Sequence, residues 1–182
     1  MPTILTHAAV PVALGIVLGR KIIPARLFVA GIFLSVIPDI DGIGLFTGIS
    51  YGSIIGHRGL THSLVFAASC ALFCTLFFRW FRTSAKTAFF FLLVAAVSHP
   101  LLDSITSGGL GVAFFWPWSD KRYFLPYQVI AVSPIRLSHF LSKRGYTVMI
   151  SELKWVWGPC LAMGFSLMLM RLSFFRRQHR RT

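Results

Sequence analysis

Acidic side chains are scarce in this sequence: five Asp and Glu stand against 18 Lys and Arg in 182 residues. Charged residues of both signs make up only 13%, about half of what an ordinary soluble domain carries. A fully water-solvated surface is excluded on that ground, and each carboxylate becomes conspicuous. Cysteine is also rare. Cys70, Cys74 and Cys160 are an odd number in apolar settings, which excludes a disulfide framework and leaves small packing residues. No polar linker divides the chain, so one domain is expected over residues 1–172, followed by a basic tail at 173–182. No basic segment precedes the first apolar run. Arg20 and Lys21 follow it instead, which argues against a cleavable signal.

Apolar residues dominate what is present, at 55% with a mean hydropathy of +0.73. Five stretches lack Asp, Glu, Lys and Arg: Thr3–Gly19, Leu27–Ile37, Ser63–Phe78, Thr87–Leu102 and Trp155–Met170. A helix needs roughly 20 residues to cross the hydrocarbon core, and most of these fall short, Leu27–Ile37 by the widest margin. They reach full length only if polar residues at their ends join the helices. The expected fold is all-α, a polytopic membrane bundle of about five transmembrane helices with an aromatic interfacial loop between the fourth and fifth.

The excess of basic residues, with a pI near 10.9, flanks the apolar segments and so points to a membrane surface and its lipids rather than nucleic acid. Arg20, Lys21 and Arg26 lie between the first two helices, Arg79, Arg82 and Lys86 between the third and fourth, and Arg171, Arg176, Arg177, Arg180 and Arg181 after the fifth. Five crossings put all three groups on one side, which the positive-inside rule makes cytoplasmic. The N-terminus is then expected outside and the C-terminus in the cytoplasm.

That topology gathers His7, Asp39, Asp41, His57, His62, His99 and Asp103 at the outer ends of four helices. His99 and Asp103 are four apart and share a helix face, suited to one ion or to a His–Asp hydrogen bond at a helix end. Pro100 between them can kink the helix. Asp39 and Asp41 would point apart on an α-helix. They reach one site only if the backbone leaves the helix, as Pro38 and Gly42 permit, and a solvated turn is the alternative. In Gly56-His-Arg-Gly-Leu-Thr-His-Ser63, His57 falls in the loop and His62 in the first helical turn, with Thr61 or Ser63 as cap. Arg58 suits a phosphate or other anion, or charge balance for the nearby Asp residues. Thr6-His7 echoes Thr61-His62, suggesting two related helical hairpins facing each other across one site.

Between the fourth and fifth helices, Phe114-Phe-Trp-Pro-Trp118 is an interfacial lid or a plain anchor. Lys121 and Arg122 beyond it can meet lipid phosphates. Ile135–Arg144 is expected to form a short surface helix carrying His139, with His179 exposed in the tail. Glu152 falls near the outer end of the fifth helix without an evident role.

Pro38-Asp-Ile-Asp41, the 56–63 run, Ser98-His-Pro-Leu-Leu-Asp103 and the Trp-Pro-Trp…Leu-Pro loop together resemble the YdjM-like family of bacterial inner-membrane proteins, over about residues 4–135. The resemblance implies a metal-dependent hydrolase and fixes no substrate. The expected ligands are His7, Asp39, Asp41, His62, His99 and Asp103, holding one or two ions of zinc or manganese. His57 and Arg58 are the catalytic candidates, and Lys121 and Arg122 the substrate-binding ones. A lipid or lipid-linked phosphoester is the favoured substrate. The rivals are a small ion or proton transporter using intramembrane His and Asp, and a non-catalytic protein stabilised by its metal. Oligomeric state is not legible.

Overall fold

The computed structural model describes residues 1–134 and 141–179, with side chains as far as Arg171. Among the described residues seven α-helices form: α1 (Ile4–His7), α2 (Ala9–Leu18), α3 (Ala25–Leu34), α4 (Leu64–Thr75), α5 (Ala85–Ser104), α6 (Lys143–Glu152) and α7 (Gly158–His179). Segments of 3-10 helix at Ile37–Phe46 and Leu60–His62, and a π turn at Leu153–Trp157, extend or join them into five helical bodies. No strand occurs among these residues. Two isolated bridges, Thr106–Ile130 and Val112–Tyr123, tie the irregular segment after α5 together.

Prolines decide where the first two bodies break. Pro11 has no N–H for the carbonyl of His7, four residues earlier, and its ring crowds that carbonyl. The helix duly divides at Ala8, between α1 and α2. Pro38 acts the same way on Leu34, the last residue of α3. The chain continues beyond it as 3-10 helix rather than stopping. The span therefore runs Ala25–Phe46, extending the short charge-free run Leu27–Ile37 as its length required, and it carries Asp39 and Asp41 inside it. Helix α5, by contrast, runs unbroken through Pro100.

Three bodies are long and apolar enough to cross a membrane: Ala25–Phe46, Ala85–Ser104 and Lys143–Arg171. The last begins twelve residues before the expected Trp155 and so includes Glu152. Residues 135–140, with His139, fall outside the described part, so only the end of the expected surface helix is seen, as the start of α6. The expected basic tail is helical as far as His179.

Packing is inverted relative to a soluble protein. Phe33, Leu72, Phe73, Leu76 and Phe165 are all more than half exposed, while His7, Arg58, His62, His99 and Asp103 are buried. The helices meet through small residues, as expected where lipid removes the hydrophobic drive. Ala67, Ala71, Ala88 and Ala96 line the core where α4, α5 and α3 meet. A side chain at Gly31 would strike the Phe91 ring, and Gly164 of α7 lies against the Ala13 carbonyl of α2.

The basic groups share one end of the bundle. Arg26 Nη1 donates to the Trp80 carbonyl at 3.1 Å and its guanidinium lies over the Trp80 ring, joining the 20–26 and 79–86 groups. Arg171 Nη1 donates to the carbonyls of Val17 and Leu18, at 3.1 and 2.6 Å, satisfying the end of α2. Ser119 belongs to the opposite end, where the Phe114 carbonyl accepts from Leu64 at the start of α4. Reporter fusions after Arg82 and after His179 should therefore read the same side, the cytoplasm by the positive-inside rule, and a fusion at Ser119 the other. Matching signals from Arg82 and Ser119 would contradict this arrangement.

Candidate metal centre

Four elements deliver the expected polar residues to one place. The break at Ala8 leaves His7 at the end of α1, the 3-10 segment presents Asp39 and Asp41, the Gly56–Ser63 loop carries His57, Arg58 and His62, and the last turns of α5 hold His99 and Asp103. One ligand atom each from Asp39, His62, His99 and Asp103 falls within 4.8 Å of every other, and Asp41, His57 and His62 make a second such group. His62 belongs to both.

The distances in the first group are those of a compact site. His99 Nε2 lies 3.0 Å from His62 Nε2, His62 Nε2 3.1 Å from Asp103 Oδ2, and His99 Nε2 3.5 Å from Asp39 Oδ1. Ligands at ~2.0–2.2 Å from a tetrahedral zinc sit about 3.3 Å apart, so these separations suit a shared ion. His7 stacks on His99 with ring centroids 3.7 Å apart, and its Nε2 is 3.6 Å from Asp39 Oδ2 and 3.8 Å from Asp103 Oδ1.

Each ring is aimed from behind. His99 Nδ1 is 2.7 Å from the carbonyl of Ser35. A carbonyl only accepts, so Nδ1 carries the proton and Nε2 turns its lone pair inward. That carbonyl is free because α3 ends there. His62 Nδ1 meets Asp41 Oδ2 at 3.1 Å, the carboxylate–histidine pairing that orients metal-bound imidazoles. Thr61, one of the two expected caps, donates to Asp41 instead; Ser63 caps α4 through the Phe66 N–H.

Buried polar atoms normally find hydrogen bonds. Here both nitrogens of His7 and both carboxylate oxygens of Asp39 have no hydrogen-bond partner among protein groups, whereas Asp103 Oδ2 is ion-paired with Arg58 and His62. All four belong to side chains that converge, so the donor set fits a divalent ion.

Arg58 is fully buried, with Nε 3.1 Å from Asp103 Oδ2 and Nη1 donating to the Gly108 carbonyl at 2.7 Å. It is placed as Asp103's counter-charge, the second of the two roles expected for it. Arg122 is likewise occupied, donating to the carbonyls of His57, Tyr51 and Ser53. Lys121 is exposed. The second group is a hydrogen-bonded dyad: His57 Nδ1 lies 2.6 Å from Asp41 Oδ1, and Asp41 also accepts from Thr61 and the Arg58 N–H.

The Ser35 and Gly108 carbonyls escape sequence reasoning because a carbonyl is common to every residue. Glu152 was visible but unassigned. It accepts from the Thr3 N–H and hydroxyl and from the Thr6 hydroxyl, fixing the turn that ends in His7.

A bundle of apolar-faced helices with this buried His–Asp centre defines a multi-pass membrane protein carrying a candidate metal site. The chain matches the family model for the YdjM inner membrane protein over residues 1–178, and it belongs to that family. It is 49% identical to the inner membrane protein YbcI of Escherichia coli (strain K12), over 98% of this chain and 100% of that one. No solved structure matches it.

The 56–59 turn holds the site loop closed: a Cβ on Gly59 would lie 2.0 Å from the Ile54 carbonyl oxygen. Gly59→Ala should lower the melting temperature and displace His57 and Arg58. Arg58→Ala should cost about 3–5 kcal/mol, the usual penalty for orphaning a buried charge, read by denaturation in detergent. Wild-type stability in Arg58→Ala would return the guanidinium to a substrate role.

Proposed function

We propose that the protein is a metal-dependent hydrolase of the bacterial inner membrane, with one divalent ion, zinc or manganese, held by Asp39, His62, His99 and Asp103. The partnerless buried atoms of Asp39 and His7 carry this reading. When bound, the ion supplies Lewis-acid activation of water and of the scissile group.

The chain's own residues supply the rest. Ser35 and Asp41 hold His99 and His62 in the ligating tautomer, and Arg58 fixes Asp103. His57, engaged at Nδ1 by Asp41, takes the proton from the attacking water at Nε2 as general base. His7 stacks on His99 and is available as a further ligand. On this reading the reaction occurs at the outer face, with the N-terminus outside and the C-terminus cytoplasmic, because the basic groups at 20–26 and 79–86 meet at the opposite end, although Arg58, Lys121 and Arg122 lie on the site's own side. The substrate is a lipid or a lipid-linked phosphoester, for the site lies at the end of a membrane-crossing span. Lys121 and Arg122 then serve as headgroup contacts only at the rim, since Arg122 is spent on carbonyls.

Metal analysis of purified protein tests the centre directly. Wild type should retain about one equivalent, and chelation should lower its melting temperature. His99→Ala and Asp103→Ala should lose the ion and be indifferent to chelator. Asp41→Asn removes an orienting group and should weaken metal affinity about 10–100-fold. His57→Ala should keep the metal and lose turnover in a screen of phospholipid and isoprenoid-phosphate hydrolysis. Full metal retention in His99→Ala would end the hydrolase reading.

A further inference from the structure

Beside the centre lies a cavity of about 450 Å³, within the size range of small-molecule sites. Its polar side groups include Asp39 of the first group and His57 of the dyad, and its walls include Ile4, Leu5, Ile43 and Phe46. Leu5, Ile43 and Phe46 are 76%, 61% and 77% exposed, so the walls continue onto the apolar outer surface. They belong to the start of α1 and the end of the span Ala25–Phe46, which sets the opening at the edge of the hydrocarbon layer. A wholly polar substrate gains nothing from such walls. A tail reaching in from the bilayer exchanges one apolar setting for another while its polar end arrives beside Asp39 and His57.

We infer that this cavity binds the aliphatic tail of a single lipid and presents the bond next to its headgroup to the proposed metal centre. The inference rests on the hydrolase reading and adds the substrate's tail and its route of entry. Specificity then lies in chain length, read by Ile4, Leu5, Ile43 and Phe46.

Gly42 offers a way to fill the cavity. It lines the wall, and a Cβ there would meet nothing within 4 Å, so Gly42→Phe puts a ring into open space. The probes are alkyl hydroxamates from acetohydroxamate to dodecanohydroxamate, which chelate zinc through one common head and differ only in the tail. Their binding is measured on the zinc-loaded full chain in nanodiscs. Affinity should rise by up to about fourfold for each added methylene that enters the cavity, then level off. In Gly42→Phe the preference for long over short chains should fall at least tenfold; Gly42→Leu serves if the larger substitution does not fold. An equal slope in wild type and variant would mean that tails partition into lipid and would overturn the tail site. So would a flat series in wild type, although bound acetohydroxamate would then leave the metal centre standing. If the protein takes up neither zinc nor manganese, or metal-loaded protein ignores acetohydroxamate, the hydrolase reading falls and the tail site falls with it.

Discussion

Carboxylates buried among membrane helices are the constraint on which the rest of this structure depends. Moving an unpaired carboxylate out of water costs far more than a domain's whole stability, so every buried Asp must find a cation or donors. Asp103 has Arg58, and Asp41 has His57, His62, Thr61 and a backbone N–H. The loop geometry follows from this need. Arg58 adopts a positive φ of 65°, uncommon for a residue with a side chain, and so turns its N–H toward Asp41 while its guanidinium runs to Asp103. Gly56 and Gly59 flank it where only a hydrogen fits against neighbouring carbonyls.

Much of this was legible because polar residues in an apolar chain have few reasons to exist. The spacing of His99 and Asp103 placed them together, and the shortness of Leu27–Ile37 signalled that Asp39 and Asp41 belonged at membrane depth. What could not be read was the backbone. That Pro38 would convert the helix to 3-10 rather than end it, and thereby free the Ser35 carbonyl for His99, depends on packing with α5. Arg58 was ambiguous for a related reason: an anion clamp and a counter-charge use the same residue, and only its burial against Asp103 separates them. The start of the last span was missed because Lys143, Arg144, Glu152 and Lys154 interrupt its apolar pattern, although Glu152 is buried against α1.

The echo between Thr6-His7 and Thr61-His62 acquires physical content in the folded chain. Each threonine donates to a carboxylate, Thr6 to Glu152 and Thr61 to Asp41. Each following histidine enters the same cluster, where His7 stacks on His99 and His62 meets His99 edge-on. The dipeptide works as one device at both places: the hydroxyl anchors the turn and the ring is delivered by it. The devices differ in what they anchor to. Asp41 also touches His62 and so tunes it, whereas Glu152 touches only the turn before His7. His62 is accordingly the better-defined donor of the two.

The same charges bear on how many ions the centre would hold. Asp39, Asp41 and Asp103 carry three negative charges against one guanidinium, which leaves two, the charge of one divalent ion with neutral imidazoles. A second divalent ion would leave the buried cluster doubly positive. It would also have to displace the bonds that already saturate Asp41, two of them from histidines. A single ion asks for nothing of the kind, since the atoms facing it include those without partners. Asp41 then stands behind both His62 and His57, so one carboxylate aims a ligand and a base together. Loss of that carboxylate should therefore weaken metal binding and proton transfer at once.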